Sequence, residues 1–305
     1  MSEKACDSPD SRSDGASSLR LGTLSAFAAY VLWGLLPVYW KQLKSVDPVQ
    51  ILCHRIVWSA VFAIVVLAAT RRLGMLAAVF KDGRRRLYVA ASGTIITANW
   101  GIYIWAVNTG HVTESSLGYF INPLVAVAFG ALFFRERLDR WTSWSVALAT
   151  LGVIAATVML GTPPWISLAL ATTFALYGAV KKGAGLDPVA ALAAETIVVL
   201  PLAIAYLAVM HATGRGALGG ADLKVNVMLV LAGVATAVPM IAFAAAAIRI
   251  PMQLIGFIQY VSPALQLALG LAVFGERLTA PIAVALATAI AAGLMYALTR
   301  RRAGD

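Results

Sequence analysis

The chain has 305 residues, of which 60% are hydrophobic and 12% are charged. Soluble globular chains contain roughly 45–50% apolar and about 25% charged residues, so this composition excludes a soluble protein and indicates a polytopic membrane protein. The formal net charge is +10, but the basic residues stand mainly at the ends of apolar segments. We therefore expect no binding to nucleic acid.

Residues that hold metals or act as nucleophiles are few and dispersed. The cysteines and histidines are Cys6, Cys53, His54, His111 and His211. They lack metal-ligand spacing, and the sequence contains no HExxH motif, Walker loop or dinucleotide fingerprint. We therefore expect no metal, no cofactor and no ATP-driven step.

Ten apolar segments follow a polar amino terminus. Residues 1–19 are rich in Ser and Asp and are predicted to form a disordered cytoplasmic tail. About 20 apolar residues cross a bilayer core of roughly 30 Å. The predicted spans are residues 21–40, 49–70, 87–108, 112–134, 141–160, 164–180, 188–210, 226–248, 252–274 and 281–298. Residues 301–305 form a cytoplasmic end.

The sequence repeats itself at an offset of 140 residues. The matches include Pro123 with Pro263, Gly130 with Gly270, and Glu136-Arg137-Leu138 with Glu276-Arg277-Leu278. Five spans fall in each copy, residues 20–160 and 161–300, and an odd number of crossings makes the second copy enter the membrane from the opposite side. The predicted fold class is an all-α integral membrane protein with ten transmembrane helices in two inverted five-helix repeats.

The distribution of basic residues sets the orientation. With the amino terminus inside, 18 of the 24 Lys and Arg residues fall in cytoplasmic segments, five fall in outer loops, and Arg55 lies within a span. Cytoplasmic loops carry this excess of positive charge, so both termini are predicted to be cytoplasmic. The basic run at 71–86 is interpreted as a topology determinant rather than as an amphipathic surface segment.

Ionisable residues inside spans are candidates for function, because each costs roughly 2.5–3.5 kcal/mol to insert. Arg55 and Glu195 are repeat mates and are expected in opposite halves of a transport pathway. Arg55 is a candidate for attracting an anionic group or for gating, and Glu195 for proton coupling. Alternatively, Arg55 extends to the interface and Glu195 hydrogen-bonds a neighbouring helix. His54 is a further candidate that titrates near neutral pH.

Polar and proline residues cluster in the middle of several spans. The predicted substrate-binding or pathway residues among them are Asn99, Asn108, Tyr119, Asn122, Gln259 and Tyr260, and the predicted hinges are Pro37, Pro123, Pro239 and Pro263. Proline removes a backbone hydrogen bond and opens a helix locally, which is typical of transporter binding sites. The amides can equally hold helices together. Among aromatic residues deep in the spans, Trp33 is retained for stacking on a solute.

Several motifs resemble a known family. The segments WGLLPVYWK, ILCHRIVWS, NWGIYIWAVN, SLGYFINPL and GFIQYVSP, together with the paired RER and GER ends, are similar to the RarD group of EamA-like transporters in the drug/metabolite transporter superfamily. The resemblance covers roughly residues 20–300. It implies a ten-helix inverted-repeat permease of the bacterial inner membrane that moves small molecules outward, and it supplies no binding residues.

These observations predict a secondary transporter that exports small metabolites or drugs by alternating access. Its partners are a small-molecule substrate and the lipid bilayer, protons are the candidate coupling ion, and a homodimer is left open. The alternatives are a channel and an intramembrane enzyme that acts on a lipid or isoprenoid. Such an enzyme needs clustered acidic, His or Cys side chains, whereas the candidates here are dispersed.

Overall fold

The computed structural model describes residues 9–109, 111–161, 163–220, 222–273 and 278–302. Within these ranges the chain forms helices and contains no strand. The helices are α1 (Pro9–Trp40), α2 (Pro48–Ala69), α3 (Leu73–Lys81), α4 (Gly83–Asn108), α5 (Val112–Phe134), α6 (Arg140–Leu160), α7 (Trp165–Ala184), α8 (Pro188–Ala212), α9 (Leu223–Ala247), α10 (Met252–Gln259), α11 (Val261–Val273) and α12 (Ala280–Arg302).

Eight stretches in the described part of the chain are long and apolar enough to cross a membrane. They lie in α1, α2, α5, α6, α8, α9, the α10–α11 pair and α12. The two other long helices, α4 and α7, carry basic residues at one end, Arg84 to Arg86 and Lys181 to Lys182. The protein is therefore an all-α integral membrane protein with eight clear spans, and the count of ten stays a prediction.

Two segments differ from the sequence-based expectation. Helix α1 begins at Pro9 and so runs through part of the tail that was predicted to be disordered. Once the apolar part of a helix has formed, extending it needs no new nucleus, which explains how polar residues continue it. The basic run at 71–86 also contains a short helix, α3, which packs on α8.

Aspartates fix where several helices begin. Asp47 accepts hydrogen bonds from the first turn of α2, and Asp187 does so for α8. Asp82 and Asp222 receive backbone N–H groups at the starts of α4 and α9 in the same way. Such caps satisfy N–H groups that have no partner within the helix. Both pairs are separated by 140 residues, the offset of the repeat.

Helix starts and helix packing both follow the repeat. Helices α2, α4, α5 and α6 begin 140 residues before α8, α9, α10 and α12. Three of these mates pack directly on each other: α2 on α8, α5 on α10, and α6 on α12. If α1 and α7 are also paired as mates, the contact of α1 with α9 corresponds to that of α7 with α4, and the contact of α2 with α9 to that of α8 with α4. The main contacts are thus preserved when the copies are exchanged.

The two copies differ at their matched prolines. The stretch that contains Pro263 is broken at Tyr260, between α10 and α11, and Pro263 stands in the first turn of α11. Pro263 has no N–H to bond the carbonyl four residues earlier. Its mate Pro123 lies inside a continuous α5, and Pro37 and Pro239 also lie inside helices.

Glycines allow the closest helix contacts. Gly233 of α9 lies against the backbone of Trp58 on α2, and Gly93 of α4 lies against the backbone of Glu195 on α8, where an added Cβ would meet the carbonyl oxygen at 2.9 Å. Gly101 of α4, in contrast, has open space beside it. Small residues at such crossings let helix backbones approach within a membrane.

We expect Gly233→Ala to destabilise the protein by about 1–3 kcal/mol, because the new methyl group meets backbone atoms that cannot rotate away. The melting temperature of the purified protein in detergent, followed by tryptophan fluorescence, should fall by several degrees. Gly101→Ala is the matched control and should leave it unchanged or raise it. Equal melting temperatures for the two variants would contradict this account of the α2–α9 contact.

Candidate substrate-binding cavity

A cavity of about 190 Å³ lies among the helices of both copies. Its walls come from the second half of α1, the first half of α2, the second half of α4 and the first half of α5, joined by α7, α9, α10 and α11. Because helices that follow each other run in opposite directions, these halves lie on the same side of the molecule. The cavity therefore occupies the middle and one end of the bundle.

Arg55 is the charged residue of the cavity wall among the described residues. Its guanidinium carbon lies 4.8 Å from the ring centroid of Trp40 and 4.7 Å from that of Trp100. Its Nε donates a hydrogen bond of 2.9 Å to the hydroxyl of Thr236 on α9. These contacts hold the side chain within the bundle rather than at its outer edge.

Amide side chains form part of the same wall. Asn99 donates from Nδ2 to the carbonyl of Leu170 at 2.9 Å and to the hydroxyl of Thr173 at 2.8 Å, so it joins α4 to α7 while lining the cavity. Gln259 accepts a 3.2 Å hydrogen bond from Tyr30. Asn122 is 5% exposed, and its Oδ1 has no hydrogen-bond partner among the described residues.

Aromatic rings close one end of the cavity. Trp33 contacts the rings of Tyr30 at 5.3 Å and Phe174 at 5.7 Å between centroids. Beneath them Tyr177 and Phe243 stack at 5.8 Å, and both are almost fully buried. The cavity is thus separated by a layer of packed rings from the polar groups on its far side.

Glu195 lies beyond this aromatic layer. Its carboxylate lies 2.8 Å from the Lys181 ammonium and accepts hydrogen bonds from Ser92 at 2.5 Å and Tyr177 at 3.4 Å. Glu195 and Lys181 are only 2% and 4% exposed. This inner charge cluster, as we call these four residues, joins α4, α7 and α8. A buried charge needs such partners.

A second carboxylate caps a helix of the other copy. Glu136, just after α5, accepts hydrogen bonds from the backbone N–H groups of Met252 at 2.8 Å and Gln253 at 3.1 Å, at the start of α10. Lys182 lies 3.7 Å from the same carboxylate and donates to the carbonyl of Ile250 at 2.6 Å. Glu136 therefore ties α5 to α7 and α10.

The structure brings together most, but not all, of the predicted pathway residues. Trp33, Arg55, Asn99, Tyr119, Asn122, Gln259, Pro37 and Pro263 line the cavity. His54 is buried outside it, and Tyr260 packs against α5, where its hydroxyl donates to the carbonyl of Phe120. Glu195, Pro123 and Pro239 also stand apart from the cavity wall. The side chain of Asn108 lies outside the described residues.

Several contributors were not identified from the sequence. Trp40 and Thr236 hold Arg55, but their positions relative to it depend on how α1, α2 and α9 pack. Lys181 was assigned to a cytoplasmic segment, although it is buried against Glu195. Glu136 was interpreted as a boundary charge, and the paired Glu-Arg-Leu segments were the one signal that pointed to it. Its mate Glu276 lies outside the described residues.

Comparison with known proteins supplies the family. The EamA-like transporter family model matches residues 20–158. Protein RarD of Streptomyces exfoliatus is 40% identical over 85% of this chain and 82% of its own length. Protein RarD of Escherichia coli K12 is 37% identical, over 86% and 88% of the two chains. The chain belongs to the RarD group of EamA-like transporters.

Other comparisons agree with this assignment. An uncharacterized transporter of Vibrio cholerae is 36% identical to this RarD-group chain, over 93% of it and 94% of the relative. A crystal structure of a protein that is 20% identical superposes with a TM-score of 0.71, over 92% of this chain and 98% of that one. At this identity the likeness shows the fold alone. The chain is thus a multi-pass drug/metabolite transporter of the bacterial membrane.

In this RarD-group transporter, Glu195→Gln or Lys181→Met alone should destabilise the fold by about 3–5 kcal/mol, because each leaves an uncompensated buried charge. The double variant removes both charges and should recover most of the loss, as a double-mutant cycle in detergent would measure. Strictly additive losses in the double variant would show that the two charges do not stabilise each other.

Proposed function

We propose that the chain is a secondary transporter that exports small organic solutes across the cytoplasmic membrane by alternating access. The observation that carries the proposal is the cavity, which is built from both copies of the repeat and closed at one end by aromatic rings and buried charges. A solute bound there contacts helices of both copies, so movement of one copy against the other changes the side from which it is reached. The cavity is enclosed by a single chain, so the proposal requires no second copy.

The proposed topology has ten crossings in two inverted copies, residues 20–160 and 161–300, after the tail at 1–19. Helices α4 and α7 supply the two crossings beyond the eight clear spans. In their support, both line the cavity, they pack on each other, and their mates α9 and α1 are clear spans. Ten crossings place both termini on one face, and the distribution of Lys and Arg makes that face cytoplasmic.

In this orientation the cavity lies in the outer half of the membrane and faces outward. The inner end is closed by two layers, first the aromatic rings around Phe243 and then the inner charge cluster with the Glu136 cap. Opening toward the cytoplasm requires these layers to separate while the outer walls approach each other. The break between α10 and α11 and the prolines within α1, α5 and α9 are the proposed points of bending.

Glu195 is the proposed coupling residue. A proton on its carboxylate would remove its attraction for Lys181 and change its hydrogen bond with Ser92, so protonation would loosen contacts among α4, α7 and α8. Because these contacts close the inner end, proton binding would favour opening toward the cytoplasm. The proposed energy source is therefore a proton gradient.

The test is solute movement in liposomes that contain the purified protein. A mixed panel of metabolites and drugs is followed by mass spectrometry, with and without a proton gradient. We expect at least one solute to accumulate against its gradient in response to protons. The Glu195→Gln/Lys181→Met variant should lose this accumulation and retain downhill movement, because the coupling carboxylate is gone while the cavity remains.

Arg72→Gln is the matched control, because it removes the exposed ion pair between Arg72 and Asp187, 2.5 Å apart, which also involves α8's N-terminus. This variant should keep its response to the proton gradient. Unchanged accumulation by the double variant would contradict coupling through Glu195. Chemical conversion of a solute without movement of any would contradict transport itself.

A further inference from the structure

We propose that the cavity selects organic anions, namely solutes that carry one carboxylate on a flat, apolar body. This inference rests on the proposed transport function and assigns a substrate class to its cavity. Three features carry it: an uncompensated positive charge, free hydrogen-bond donors on that charge, and aromatic walls around it.

The charge of Arg55 is not balanced within the cavity. The cavity wall includes no Asp or Glu among the described residues, and no described carboxylate forms an ion pair with Arg55. Every other strongly buried charge in the described bundle has a partner of opposite sign, as Lys181 has Glu195. An anionic solute would supply the missing counter-charge, in a site where water screens it weakly.

The guanidinium also keeps donors free. Nε is used by Thr236, whereas Nη1 and Nη2 donate no hydrogen bond to any described residue. The rings of Trp40 and Trp100 contact the guanidinium without accepting these in-plane N–H groups. A planar pair of such donors matches the two oxygens of a carboxylate. Arg55 is therefore held in place with its terminal nitrogens available.

The rest of the cavity suits a small body with a flat apolar surface. Trp33, Trp100, Tyr103, Tyr119 and Phe174 all line it. A volume of about 190 Å³ exceeds the 150 Å³ or so of a cavity that binds benzene, so one ring with a carboxylate fits. The unpaired Oδ1 of Asn122 adds an acceptor for a hydroxyl or N–H group on the solute.

The test compares three probes that share one ring and differ in charge: phenylacetate, phenylacetamide and phenethylamine. Binding to the purified protein in detergent is measured by quenching of tryptophan fluorescence, which Trp33, Trp40 and Trp100 report, and by the melting temperature. We expect phenylacetate to bind and to raise the melting temperature. The neutral and cationic probes should bind roughly 10- to 100-fold more weakly, the range that a hydrogen bond to a charged group is worth.

Variants at Arg55 locate the effect. Arg55→Gln should lose the preference for phenylacetate, and Arg55→Lys should keep a weaker preference, because lysine retains the charge without the two-pronged donor geometry. Arg84→Gln is the matched control, since Arg84 lies over the Tyr88 ring at 5.7 Å on the exposed surface and away from the cavity. It should bind phenylacetate like the natural protein. The melting curve of each variant without probe shows that it is folded.

Equal binding of the three probes, binding of none, or an anion preference that survives in folded Arg55→Gln would overturn the proposal. These outcomes are distinct from a failure of transport. A protein that carries neutral or cationic solutes would pass the liposome test of the proposed function and fail this one.

Discussion

Buried charge constrains the inner half of this bundle more than any other interaction. Glu195 is almost completely removed from water, and an ionised carboxylate there is tolerated only with a positive partner and hydrogen-bond donors. Lys181 and Tyr177 from α7 and Ser92 from α4 provide them. Their positions fix α4, α7 and α8 relative to one another, and the close approach of Gly93 to Glu195 is what allows α4 to lie near enough.

Arg55 occupies the opposite situation although it is the repeat mate of Glu195. Duplication placed an ionisable residue at the same position of α2 and α8, but the first lines an open cavity and the second lies in a closed, compensated cluster. In the proposed mechanism this asymmetry separates two tasks. The unpaired charge recognises the solute, and the paired charge responds to protons and controls the inner end.

The sequence predicted the membrane class, most helix ends and the family, because those follow from local features. Apolar runs set helix length, and Asp47 and Asp187 mark helix starts through bonds to their own first turns. The partner of Glu195 was missed, since a lysine near a helix end is buried only when neighbouring helices pack over it. The break at Tyr260 and the continuous helix through Pro123 likewise differ for reasons of packing, although both sites carry proline. Cavity residues were found where polarity was unusual, as at Arg55 and Asn122, and missed where an ordinary aromatic such as Trp40 acts through position.

The most direct test of alternating access is the side from which the cavity is reached. Gln266 lines the cavity, and a Gln266→Cys variant in a background without Cys6 and Cys53 can be labelled with a membrane-impermeant thiol reagent in intact cells and in inside-out vesicles. The account predicts labelling mainly from outside, and a shift toward the cytoplasmic side when the Lys181–Glu195 pair is removed. Equal labelling from both sides that is insensitive to this pair would contradict alternating access and indicate a continuous channel.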